Sequence, residues 1–108
     1  MTDRELLEAA ARAAGIEGNY IDLLPHPYIS TYEGGPGNYR RVQWNPLQDD
    51  AQALRLAVKL DLAVGSRKCW RPWRESALVW VGTEEELDNV AATRRAITRA
   101  AAEIGRAS

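Results

Sequence analysis

Apolar positions near the start of the chain recur at helical spacing. Leu6, Leu7, Ala10, Ala13 and Ala14 share one face, Thr2 and Glu5 have the spacing of a capping box, and Gly15 ends the run. This predicts a first helix over residues 2–14. From Tyr20 to Trp44 the period changes. YISTY (28–32) and YRRVQW (39–44) are rich in aromatic and β-branched residues and flank the turn-rich EGGPGN, which predicts a β-hairpin. Pro25 and Pro27 hold Leu24 and His26 extended, as a rigid approach to that hairpin.

WNPLQDDAQALRLAVKL predicts a second helix running to about Leu60, with Asn45 as its cap, Pro46 at the first helical position, and Asp49 and Asp50 near its positive end. Ala53, Leu54, Leu56, Ala57, Val58 and Leu60 cover more than half of its circumference. Gln48, Gln52, Arg55 and Lys59 are left as a narrow polar stripe, so the helix is expected to be mostly buried. Asp61 would project into the apolar arc if the helix continued. The expectation is that the helix frays there and Asp61 reaches water; the alternative is a buried partner such as Arg94.

SRKCWRPW (66–73) and SALVWVG (76–82) follow, separated by a short polar turn. Residues 77–81 are apolar on both alternating faces, as in a central strand. Pro72 cannot donate to a ladder, so a strand before it belongs at an edge or stops near Arg71. The last helix is predicted to open with a capping box at residues 83–86 and to run to Ile104. Its apolar face is Leu87, Val90, Ile97, Ala100, Ala101 and Ile104, opposite Asp88, Arg95, Arg99 and Glu103, with Arg99 and Glu103 four apart and Arg94 on the boundary. The resulting expectation is an α+β fold: one antiparallel sheet of about four strands with three helices packed on it, in the order α-ββ-α-ββ-α, forming one domain over residues 1–108.

Length and composition fit that expectation. A chain of 108 residues buries about 65% of the surface its unfolded form exposes, enough for one core. No apolar run approaches the roughly 20 residues of a membrane span, and Asp3, Arg4 and Glu5 are not the start of a signal peptide, so a soluble cytoplasmic protein is expected. One Cys and one His provide neither an internal disulfide nor a zinc set. The net charge of -1 hides an asymmetry: residues 1–54 carry four basic and eight acidic side chains, residues 55–108 ten and seven. Such a dipole favours oriented association or an anionic ligand, and is too mild for sequence-independent DNA binding.

WNPLQDDAQALRLAVKL, the strand-forming stretch after it, TRRAITRAAAEIG and, more loosely, LLEAAARAAGI together resemble the small tailed-phage and prophage proteins grouped as phage alpha-beta-alpha sandwich proteins. The resemblance spans about the whole plan of the chain. It implies an antiparallel sheet with helices against it and a place in the host bacterial cytoplasm. It brings no catalytic residues.

The candidate chemistry is concentrated at 66–74. Trp70 and Trp73 with Arg67, Lys68, Arg71 and Arg74 have the character of a ligand site, the rings stacking on a base and the cations meeting phosphate, with Arg94 added from the last helix. The competing account is an edge strand with solvated cations covering one ring. Trp70 and Trp73 have opposite parity, so one regular strand cannot bury both, and Pro72 suggests a bend between them. Tyr28, Tyr32, Tyr39 and Trp44 read first as sheet packing and second as an interface patch. Cys69 and His26 sit in separate segments without a catalytic context, and the first-turn acids Asp49 and Asp50 are explained by the helix dipole, so no catalytic residue, metal or cofactor is assigned.

The function expected is a phage or prophage accessory protein that binds a host component or a small anionic, nucleotide-like ligand without turnover, as a homo-oligomer. One alternative is a nucleotide-directed hydrolase or transferase with Asp49, Asp50 and Asp61 as its acids and Arg71 or Arg74 on phosphate. Another is a virion assembly component.

Overall fold

The computed structural model describes residues 2–23, 25–65, 68–71, 74–80 and 89–107. Helix α1 (Asp3–Ala14) is followed by strands β1 (Gly18–Ile21), β2 (Tyr28–Glu33) and β3 (Arg40–Trp44). Helix α2 (Asp50–Lys59) leads to β4 (Ala63–Gly65), β5 (Lys68–Arg71) and β6 (Arg74–Trp80), and α3 (Asn89–Ala107) closes the order. The fold is α+β, with three helices and antiparallel pairing as expected. Among the described residues six strands form two three-stranded sheets, β1-β2-β3 and β4-β5-β6, where one sheet of about four strands was expected. The strands missed, β1 and β4, are four and three residues long and too short to establish a period of two.

Local signals account for α1. The Thr2 hydroxyl accepts from the Glu5 amide at 3.2 Å and the Thr2 backbone amide donates to the Glu5 carboxylate at 3.4 Å, completing the expected capping box. At the far end Gly15 takes φ 70°. The Ile16 amide donates to the Ala11 carbonyl and the Gly15 amide to the Arg12 carbonyl, satisfying carbonyls that the helix leaves open. Helix α2 ends in the same way without a glycine. Asp61 adopts φ 54°, the Leu62 amide donates to the Ala57 carbonyl and the Asp61 amide to the Val58 carbonyl. The helix thus stops by a defined left-handed turn, and Asp61 reaches water as expected.

The start of α2 corrects the sequence reading. Asn45 does not cap it; the cap is Asp49, whose carboxylate accepts from the Gln52 amide at 2.9 Å. Asn45 is buried instead as a joint. Its Nδ2 donates to the Pro27 carbonyl at 2.5 Å, its Oδ1 accepts from the Leu47 amide at 3.0 Å, and its own amide donates to Gln52 Oε1 at 2.6 Å. The proline-framed approach is thereby tied to the turn before α2.

The hairpin matches expectation, with register from Ile29↔Trp44 to Glu33↔Arg40. Gly34 in its turn has φ 110°, and a Cβ there would overlap the Asn38 carbonyl oxygen, so the position demands glycine. In the second sheet the sequence misplaced two features. Arg71 and Arg74 pair across the strands, so β6 begins at Arg74 rather than beyond it. The central strand is β5, with β6 at one end of the sheet order, because β4 supplies the outer partner that the sequence concealed. The expectation that the strand before Pro72 stops near Arg71 holds. The register shift in this pairing lies between Cys69 and Arg71. The capping box predicted at residues 83–86, and Leu87 and Asp88, lie outside the described residues.

One apolar cluster joins both halves. Leu7, Ala10 and Ala14 of α1, Ile29 and Trp44 of the first sheet, Leu56 of α2, Cys69 of the second sheet, and Ala96, Ile97, Ala100 and Ala101 of α3 are buried together. A smaller cluster of Leu6, Ala9 and Ala102 continues the α1–α3 seam. The helices meet closely there: a Cβ on Gly105 would run into the Ala9 carbonyl, so this glycine sets the interhelical distance.

Candidate functional site: a cleft beside the central helix

Helix α2 separates two concavities. The predicted polar stripe and the apolar arc of this helix are both visible, but the arc is not fully covered. Ala53, Leu56 and Ala57 are buried, whereas Leu54 is 62% and Val58 73% exposed, which overturns the expectation of a mostly buried helix.

On one flank lies a cleft of about 500 Å³ between the α1–β1 turn, the inner face of the first sheet and α2. Ala14, Ile16, Val42, Trp44 and Leu56 give it apolar walls. Ile29, Thr31 and Glu33 alternate onto the same sheet face as their partners Trp44, Val42 and Arg40. Trp44 is only 7% exposed and packs in the core, while Thr31 and Val42, one pair further along, remain half-buried. The opening is therefore where the sheet extends past the helices that cover it.

Polar groups around the cleft divide into those already engaged and those that are not. Gln52 Nε2 donates to the Gln43 carbonyl at 2.9 Å, and Gln52 Oε1 accepts from Asn45. The Thr31 hydroxyl donates to the Glu17 carbonyl at 2.6 Å. Glu33 is ion-paired with Arg40. Arg55 and Lys59, one turn apart on α2, line the same cleft, are exposed, and close no ion pair among the described residues. Glu17 on the opposite side has no ion-pair partner among the described residues either. The sequence showed Arg55 and Lys59 as a solvated stripe. The signal available in it was a like-charge pair at i,i+4 with no acid three or four residues away on the same helix.

The other flank is a groove of about 510 Å³ lined by Ala53, Leu54, Val64, Val90 and Ile97, with Asp50 and Arg94 at its edge. Arg94, expected in the ligand site, is held here by protein acceptors. Its Nε donates to the Leu47 carbonyl at 2.9 Å, and its NH1 meets Asp50 Oδ1 at 2.5 Å. It anchors α3 to the turn before α2, and its partner is Asp50 rather than Asp61.

The rest of the sequence-predicted site divides in two. Arg67 and Trp73 lie outside the described residues, and Lys68, Trp70, Arg71 and Arg74 are described as backbone in β5 and β6. The register brings Arg71 and Arg74 opposite each other at the hairpin end. The acids of the enzymatic alternative are not gathered: Asp49 caps α2, Asp50 holds Arg94, and Asp61 follows the far end of a ten-residue helix, about 15 Å along its axis. Among the described residues no three His, Cys, Asp or Glu side chains group as a metal set. Cys69 is fully buried and not in a disulfide, while His26 is exposed, so the two do not share an accessible site. Of the aromatic residues, Trp44 packs as core. Tyr32 and Tyr39 are 62% and 65% exposed, and the Arg41 guanidinium lies 5.7 Å from the Tyr32 ring centre. No described helix is long and apolar enough to cross a membrane. In comparisons with known proteins, no protein family, curated protein or solved structure matches the chain.

Proposed function

We propose that the protein acts by stoichiometric binding of a small anionic ligand, and that the cleft between α2 and the first sheet is where the ligand sits. The observation carrying this reading is the pairing of apolar walls with two cations, Arg55 and Lys59, that the protein leaves without carboxylate partners among the described residues. The volume falls within the range of small-molecule sites, which are mostly apolar with a few convergent polar groups. A role in phage or prophage biology, toward a host component, belongs to this proposal on the strength of the sequence resemblance alone. Association of a second copy is supported by Leu54, Val58, Val64 and Val90, an exposed ridge beside a groove on the opposite flank of α2, since a two-fold interface needs one self-complementary patch.

The test is a thermal-shift panel of aromatic and aliphatic acids, mononucleotides and neutral controls, with and without Mg²⁺, followed by calorimetry. A member of the panel raises the melting temperature of the wild type and fails to do so with Val42→Trp, which fills the cleft. A hit indifferent to Val42→Trp, with that variant folded, would place the site elsewhere. Turnover of a nucleotide would replace the binding reading with the enzymatic one.

A further inference from the structure

Building on the cleft as a ligand site, we propose that it selects an amphipathic monoanion: one acidic group on an apolar body with few hydrogen-bonding groups. The surroundings of the cleft set each part of that description. Arg55 and Lys59 repel one another at i,i+4, and neither helical spacing nor the folded structure supplies an acid at ion-pair distance among the described residues. An anion lying between them is the missing counter-charge. Of the neutral polar side chains that line the cleft, Gln52 is spent on Gln43 and Asn45 and the Thr31 hydroxyl on the Glu17 carbonyl, which leaves the exposed Tyr32 hydroxyl for a ligand. Turning Gln52 toward a ligand would leave the amide of buried Asn45 unsatisfied. Ala14, Ile16, Val42, Trp44 and Leu56 then contact an apolar body.

The opposite side limits the charge to one. Glu33 is neutralised by Arg40, but Glu17 is not matched, so a second anionic group at the distal end of the ligand meets a like charge. A polyphosphate is excluded by the same argument, because two cations face a larger negative charge with an acid across from them.

Calorimetry with 2-naphthoate, its neutral near-isostere 2-naphthamide and 2,6-naphthalenedicarboxylate tests this. Naphthoate should bind, with naphthamide and the dicarboxylate each roughly tenfold weaker, as expected from losing one charge-assisted contact or gaining one repulsion. The double variant Arg55→Gln/Lys59→Gln should bring naphthoate down to the level of naphthamide. Glu17→Gln should restore the dicarboxylate without weakening naphthoate. Equal binding of acid and amide, a preference for the dicarboxylate in the wild type, or no response to Glu17→Gln overturns the inference while leaving the cleft as the site. If none of the three binds but another panel member is blocked by Val42→Trp, the ligand class is wrong and the site right. If the panel yields nothing, the site itself falls.

Discussion

The α1–α3 seam and helix α2 are built from the same stock of Ala, Leu and Arg, yet the protein closes one and leaves the other open. Along the seam, Leu6, Ala9 and Ala102 are buried and Gly105 lets the backbones approach, so small side chains remove the space between the helices. The arginine on its border, Arg95, meets Asp3 at 3.2 Å. Around α2 larger side chains stand apart. Its buried strip of Ala53, Leu56 and Ala57 is flanked by Arg55 and Lys59 over the cleft and by Leu54 over the groove, with Val58 exposed one turn on. The seam supplies stability, and the flanks of α2 supply surface that another molecule can use.

The sharpest way to break this comparison is to truncate one aliphatic residue from each side. Ile97, 5% exposed in the core, should cost about 2–5 kcal/mol when replaced by Ala, whereas Leu54→Ala should cost under about 0.5 kcal/mol in the dilute monomer. Denaturant unfolding measures both. Light scattering at high concentration then shows whether Leu54→Ala reduces self-association. Equal losses in the monomer would mean that the α2 flank is part of the core.

A second pair contrasts an arginine used by the fold with one that is not. Arg94, whose side chain is 19% exposed and bonded to Leu47 and Asp50, should cost about 1–3 kcal/mol on replacement by Ala, because the Leu47 carbonyl loses its donor. Arg55→Ala should leave stability within about 0.5 kcal/mol, and relief of its repulsion with Lys59 pushes the change toward a gain. Similar large losses at both would show that Arg55 serves the fold.

The smallest effect concerns the exposed start of α1. Hydrogen bonds from the backbone and side chain of Thr2 lower the Glu5 carboxyl from its usual 4.5, with Arg106 adding to the effect. A carboxyl lowered by folding contributes stability above its unfolded value and loses it as pH falls through the folded one. The melting-temperature advantage of wild type over Glu5→Gln should therefore be present at neutral pH and vanish below pH 4.5. An advantage that persists in acid would assign it to packing.

Several features were legible because their cause lies within a few residues. Thr2 and Glu5 close their box within a single turn, Gly34 meets a steric demand inside its own loop, and Pro72 limits β5 whatever surrounds it. The cap of α2 shows the limit of such signals. Asn45 and Asp49 were both chemically suitable, and the Pro27 carbonyl, 18 residues earlier, engaged the first and left the second to cap. The candidate site was less legible. The stretch 66–74 drew attention by composition, while the cleft needed residues 14–17, 31–33, 42–44 and 52–59 brought together.

The sequence by itself determined the α+β class, the three helices, the ends of α1 and the hairpin, since capping, turn geometry and side-chain period act over one turn or one strand pair. Only the tertiary structure decided which apolar residues of α2 were covered, which acid Arg94 met, and where Arg55 and Lys59 were left facing a cleft. Burial of apolar surface is non-directional. A stripe of Leu and Val specifies that something should cover it, and the reach of the neighbouring sheet and helices decides how far that covering extends.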